Sequence, residues 1–126
     1  MRPIEHLDVV LSSMRSFGWM FEEERIDYEF DEEDDTLFVT GTIFFHDESR
    51  LVFKESVTET AIRYGFQYLD STGAPIFRYD NTPHHPHLEN FPYHKHVGSS
   101  VEPAATVTLH QVLTEIEKYL LNTPND

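Results

Sequence analysis

Cysteine is absent from the 126 residues. No disulfide framework and no thiolate metal site can therefore exist, which fits a reducing compartment. Basic residues are scarce. Nine Lys and Arg stand against 23 Asp and Glu, for a formal net charge of −14. A chain of this balance does not advertise a broad nucleic-acid surface. No apolar run approaches the roughly 18 residues of a membrane span. The first residues carry Glu5 and Asp8 and lack the layout of a signal peptide. The expectation is a cytoplasmic protein with no membrane contact.

What is plentiful is aromatic and apolar. Ten Phe, six Tyr and one Trp supply large pieces for packing, and 39% of the chain is hydrophobic. That composition argues against disorder, and the length suits one domain with a core of its own. The expected domain is 1–121, with 122–126 as a frayed tail. The charge is unevenly spread. Residues 1–60 hold 16 acidic side chains, while residues 61–100 hold three acidic, three basic and five of the eight histidines.

Local patterns then divide the chain. Pro3 suits a first helical turn, and Ile4, Leu7, Leu11 and Met14 follow at helical spacing, so a helix is predicted over 3–16. Gly18 is its stop, and Trp19 beyond it reads as a core or hinge anchor. Strict alternation predicts a half-buried strand over 25–31. Three further strands are predicted over 36–45, 50–60 and 63–69, and a short fifth begins at Pro75. Gly73 is placed to take positive φ in the turn before it. Residues 80–105 show little periodicity and read as a long His- and Pro-rich loop. Thr108 and Gln111 form a capping-box pattern before the stripe Leu109, Val112, Leu113, Ile116 and Leu120, which predicts a C-terminal helix. Short connections favour an antiparallel meander. The fold class is α+β: an antiparallel sheet of about five strands in meander order, flanked by the two helices.

Chemistry concentrates between Arg78 and His96. An RNA phosphodiester can be cleaved by its own 2′-OH, given a base, an acid and cations for the developing charge. Histidines titrate near the working pH and suit the proton transfers. Arg78 and Lys95 suit the charge. Tyr79, Phe91 and Tyr93 can stack on unpaired bases.

Two other readings stand beside this one. His84, His87, His94 and His96 can be read as ligands of a transition metal, although their spacing matches no helical His pattern. The plainest reading is structural: each imidazole bonds to a backbone carbonyl, and Arg78 pairs with Asp80. The run from Glu22 to Asp35 holds ten carboxylates. It reads as a solvated edge strand, or as a docking surface for a basic partner.

The stretch Gly73-Ala74-Pro75-Ile76-Phe77-Arg78-Tyr79-Asp80-Asn81-Thr82-Pro83-His84-His85-Pro86, followed by Phe91-Pro92-Tyr93-His94-Lys95-His96, resembles the signature of the TumE family. These small prokaryotic proteins are toxin components of toxin–antitoxin pairs. The likeness spans roughly residues 40–121 and is densest from Arg78 to Gly98. Arg78, Asp80, Asn81, His94, Lys95 and His96 match the family pattern. Tyr93 stands where the family often has histidine, and the strong acidity departs from the usual basic toxin. The resemblance implies a helix-turn-helix antitoxin as partner and, with it, ribonuclease activity.

Combined, these features predict a toxin-like, metal-independent ribonuclease without a cofactor. Arg78, Asp80, His84, His85, His94, Lys95 and His96 are its expected catalytic residues. Tyr79, Asn81, Phe91 and Tyr93 are its expected RNA contacts. The alternatives are a non-catalytic interaction protein docking through its acidic strand, and a metal-dependent hydrolase. Sheet edges also leave room for a homodimer.

Overall fold

A computed structural model describes residues 1–81, 93–104 and 106–122. Helix α1 (Pro3–Phe17) leads through a short 3₁₀ turn (Gly18–Met20) into the strands. These are β1 (Phe21–Asp31), β2 (Thr36–Phe45), β3 (Arg50–Val57), β4 (Ile62–Leu69), β5 (Pro75–Asp80), β6 (His94–Val97) and β7 (Ser100–Pro103). Helix α2 (Leu109–Asn122) follows. The strands lie in chain order in one sheet, every neighbour antiparallel. No helix among the described residues is long and apolar enough to cross a membrane.

The sheet has seven strands rather than about five. The two additional strands form a hairpin inside the stretch expected to be loop. β6 was hidden because Lys95 faces the helices and imidazoles take the opposite face, so hydrophobic alternation does not register it. Gly98, at φ 59, opens the two-residue turn between Val97 and Ser100, as hairpins with glycine first require. β1 also begins at Phe21, four residues before the predicted strand, and β3 stops at Val57. Trp19 is no core anchor: it is 61% exposed, and the 3₁₀ turn buries Met20 in its place.

Both helices cover the same face of the sheet. His6 of α1 reaches Glu55 of β3, with Nε2 and Oε2 2.6 Å apart, and both residues are buried. Tyr119 of α2 packs edge-on against Tyr68 of β4, and the ring of Phe17 meets that of His110 between the helices. The core beneath them holds Leu37, Val39, Ile43, Phe45, Leu51, Phe53, Phe66 and Phe77 from the strands, and Val10, Met14, Leu113 and Ile116 from the helices. The α2 cap forms as the sequence predicts. Gln111 Oε1 accepts the Thr108 N–H, and Thr108 Oγ1 accepts the Gln111 N–H.

Alternation sends every second strand residue to the opposite face, which neither helix covers. Register aligns that face into cross-strand rows. One row runs Asp27, Thr40, Lys54, Gly65, Asp80, His94 from β1 to β6. The adjacent row runs Arg25, Thr42, Val52, Gln67, Arg78, His96.

Candidate functional site

The ends of the two rows meet on β5 and β6. Asp80 pairs with His94 across the strands, and Arg78 pairs with His96. Alternation places all four on the open face, and it places His94 and His96 together because they are two residues apart on one strand. Asp80 is 4% exposed and His94 3%. A carboxylate buried so deeply is costly unless charge or hydrogen bonds satisfy it. Here Oδ1 lies 2.5 Å from His94 Nε2. Oδ2 accepts the Nε–H of Arg78 at 2.9 Å and lies 3.2 Å from His96 Nε2. The two imidazole centroids are 4.9 Å apart, edge to face.

Exposure separates the roles these groups can take. His94 and Asp80 are sealed, whereas the His96 side chain keeps 31% of its surface and Arg78 keeps 38%. Burial pushes the His96 imidazole below its ordinary pKa, and the neighbouring His94 and Arg78 push the same way; Asp80 opposes them. His96 is therefore held neutral near pH 7, as a proton acceptor should be. Its Nε2 faces Asp80 Oδ2, and a neutral ring that donates there carries its basic lone pair on Nδ1.

Lys95 and Tyr79 point the other way, under α2. Lys95 Nζ donates to Glu115 Oε1 at 3.1 Å, and the Tyr79 hydroxyl donates to the same oxygen at 2.8 Å. Lys95 Nζ also sits 4.8 Å from the Tyr79 ring centroid and 5.2 Å from that of Phe77. Burial lowers the Lys95 pKa, but hydrogen bonds to Tyr79 and Glu115 outweigh it and the net shift is upward. The trio ties α2 to the sheet on the face opposite His96.

Asn81 is buried and completes the backbone pairing of β4. Its Oδ1 accepts the Tyr64 N–H at 2.9 Å and its Nδ2 donates to the Ile62 carbonyl at 2.6 Å. Tyr93 lines a cavity with His6 and Ile62, away from Asp80. His84, His85, His87 and Phe91 lie outside the described residues. The structure thus gathers Arg78, Asp80, His94 and His96, and it directs Lys95, Tyr79 and Asn81 into structural contacts.

Several neighbours of this group went unnoticed in the sequence. Lys54, Gln67 and Arg25 share the open face and line a groove of about 390 Å³ with Arg78. The signal existed in the strand alternation, but it required the register, which pairs residues tens of positions apart. Asp80, His94 and His96 also offer three metal-ligating atoms within 4.8 Å of one another. Two imidazoles and a carboxylate suit a transition metal, whereas the Arg78 guanidinium on the same carboxylate competes with a cation. Proton transfer and metal ligation are the two chemistries this donor set can perform.

A family model described as Toxin TumE matches residues 9–120 of the chain. No curated protein and no solved structure gives a significant match.

Proposed function

We propose, from the premise that the chain belongs to the TumE toxin family, that it is the toxin-like half of a toxin–antitoxin pair and a metal-independent ribonuclease. One observation carries the proposal: a buried Asp80 carboxylate bound by Arg78, His94 and His96, of which Arg78 and His96 are partly exposed and His94 is not.

In the proposed reaction, His96 Nδ1 takes the proton of an RNA 2′-OH. The 2′ oxygen bonds to the adjacent phosphorus, and the bond from phosphorus to the 5′ oxygen breaks. Arg78 faces the charge that gathers on the phosphate oxygens. A second histidine returns a proton to the leaving oxygen, and His84 and His85 are the residues proposed for that step. Asp80 and His94 act through His96 as positioning residues. Lys95 keeps α2 in place, and no cofactor is invoked.

The partner would be a helix-turn-helix antitoxin with a basic surface. β1 offers it a match, because it ends the strand order among the described residues and carries Glu22, Glu23, Glu24, Asp27, Glu29 and Asp31. The same carboxylates oppose pairing of this edge with a second copy, so a homodimer through β1 is disfavoured.

The test is growth on induced expression, wild type beside a His94→Ala/His96→Ala variant whose folding is checked by circular dichroism. Wild type should arrest growth and the variant should not. If both arrest growth equally, the histidines are not the active groups. If neither does, the acidic strand and a purely binding role become the better account. The ligand grouping of Asp80, His94 and His96 favours one second reading, a metal-dependent hydrolase. RNA cleavage that survives exhaustive EDTA treatment would exclude it.

A further inference from the structure

We infer that the open face of the sheet is a lane for single-stranded RNA, in which Lys54 and Arg78 converge over Gly65 to hold a backbone phosphate beside His96. This rests on the ribonuclease proposal and names its substrate class and the residues that hold it.

Register supplies the geometry. Gly65 sits between Lys54 on β3 and Asp80 on β5 in one cross-strand row. A methyl group at Gly65 would lie 3.5 Å from Arg78 Nη2 and 3.7 Å from Lys54 Cε. Two cationic side chains thus lean over a floor that has no side chain of its own. Arg78 keeps its Nε on Asp80 while Nη2 reaches over Gly65, so that end of the guanidinium and the Lys54 ammonium can share one anion.

The surroundings sharpen this in a chain of −14. On the open face the strand carboxylates are Glu23, which pairs with Arg25, then Asp27, Glu29 and Asp31 along β1, and Asp80, which already has its partners. Neither Lys54 nor Arg63 has an ion pair among the described residues. Lys54, Arg63 and Arg78 thus bring positive charge together on β3 to β5, inboard of the β1 carboxylates.

The extent points to a polymer rather than a lone phosphate. Strands lie about 4.8 Å apart, so Lys54 and His96, three strands distant, are separated by about 14 Å. That is too far for one phosphate and suits successive phosphates of one strand. A second hollow of about 370 Å³ adjoins Lys54 and is lined by Phe38, Ser56 and Arg63. Phe38 is 46% exposed there. Across the strands Phe38 stands between Glu29 and Ser56, and Lys54 and Arg63 line the same hollow on the side away from β1; an exposed ring with cations on that side is a surface on which an unpaired base can stack.

The test measures binding apart from cleavage. A short fluorescein-labelled 2′-O-methyl RNA has no free 2′-OH, so it can bind without being cut. Fluorescence anisotropy at low salt should show Lys54→Glu and Phe38→Ala each weakening binding by about tenfold or more. Lys118→Glu, on the outer side of α2, should change it less than about twofold. The slope of log affinity against log salt should fall by about one in the Lys54 variant. Wild-type affinity retained by both lane variants, absence of wild-type binding, or preference for a polyglutamate peptide would each overturn the lane. Tight, Lys54-dependent binding with unmodified RNA left intact would preserve the lane and remove the ribonuclease proposal. Cleavage with a KM indifferent to Lys54→Glu would do the reverse.

Discussion

Asp80 and His94 stand opposite each other at the junction of β5 and β6, with Oδ1 and Nε2 2.5 Å apart and both side chains sealed from solvent. A buried pair of this kind fixes the orientation of everything bonded to it. The second oxygen of the same carboxylate holds Arg78 and His96. Asp80→Asn keeps the shape but removes the charge and replaces one acceptor by a donor. RNA cleavage per folded molecule is expected to fall about 10²- to 10⁴-fold, the range for losing an oriented acid–base group. Cleavage within about twofold of wild type would remove Asp80 from the site.

The depressed pKa of His96 makes a signed prediction. An imidazole with its ordinary value of 6.5 would lose basic function as pH falls through that point; burial, His94 and Arg78 hold His96 neutral to lower pH. The acid limb of the cleavage profile should therefore lie below 6.5. Arg78→Ala removes one cation that depresses the value, so the limb should move upward as the rate drops. Stability follows the same sign. Unfolded His96 binds a proton near 6.5 while the folded residue resists it, so this contribution is complete above 6.5 and is lost as pH falls through the folded value. Chemical denaturation across pH 5 to 8 checks the second half, and a limb above 6.5 would refute the first.

Lys95 should behave as a structural residue. Its ammonium and the Tyr79 hydroxyl share Glu115 Oε1, and all three are partly buried between β5, β6 and α2. Lys95→Met keeps the stem and removes the charge. It should destabilise the protein by about 1–3 kcal/mol, because Glu115 is left with one partner. Cleavage per folded molecule should stay within about threefold of wild type. The raised Lys95 pKa adds a pH signature: its contribution is present below the unfolded value of 10.5 and is lost as pH rises through the folded one. A rate collapse at unchanged stability would instead return Lys95 to the phosphate.

The elements legible in the sequence were those written in aliphatic code. α1, β2, β4 and the capped α2 follow from the spacing of Ile, Leu, Val and aromatic residues, and Gly73 takes φ 86 where the turn was predicted. β6 was not legible, because its buried residue is a histidine that only Asp80 makes tolerable. The site was half legible for the same reason. Composition gathered histidines and cations between Arg78 and His96, but a one-residue step along a strand reverses the face. Lys95 stands between His94 and His96 in sequence and points to the other side of the sheet. Which residues belonged together was decided by the β5–β6 register, to which the chain gives no local clue.

Asn81 shares the family signature with Asp80, yet its side chain is spent on the fold. Oδ1 takes the Tyr64 N–H and Nδ2 gives to the Ile62 carbonyl, so the amide acts as one more residue of β5 paired to β4. The Tyr64 contact is buried and the Ile62 contact partly so. Asn81→Ala should cost about 1–3 kcal/mol, the penalty for leaving buried partners unpaired. Asn81→Asp should cost more, because it keeps the acceptor for Tyr64 but sets a carboxylate oxygen against the Ile62 carbonyl. Thermal melts of both variants check the order. Because Asn81 directly follows Asp80, loosening it also lets the carboxylate drift from His94, so cleavage should decline with the melting temperature. Added osmolyte that restores the fold should restore the rate of the Ala variant. A variant that melts like wild type but cannot bind the 2′-O-methyl RNA would show instead that the amide reads the substrate.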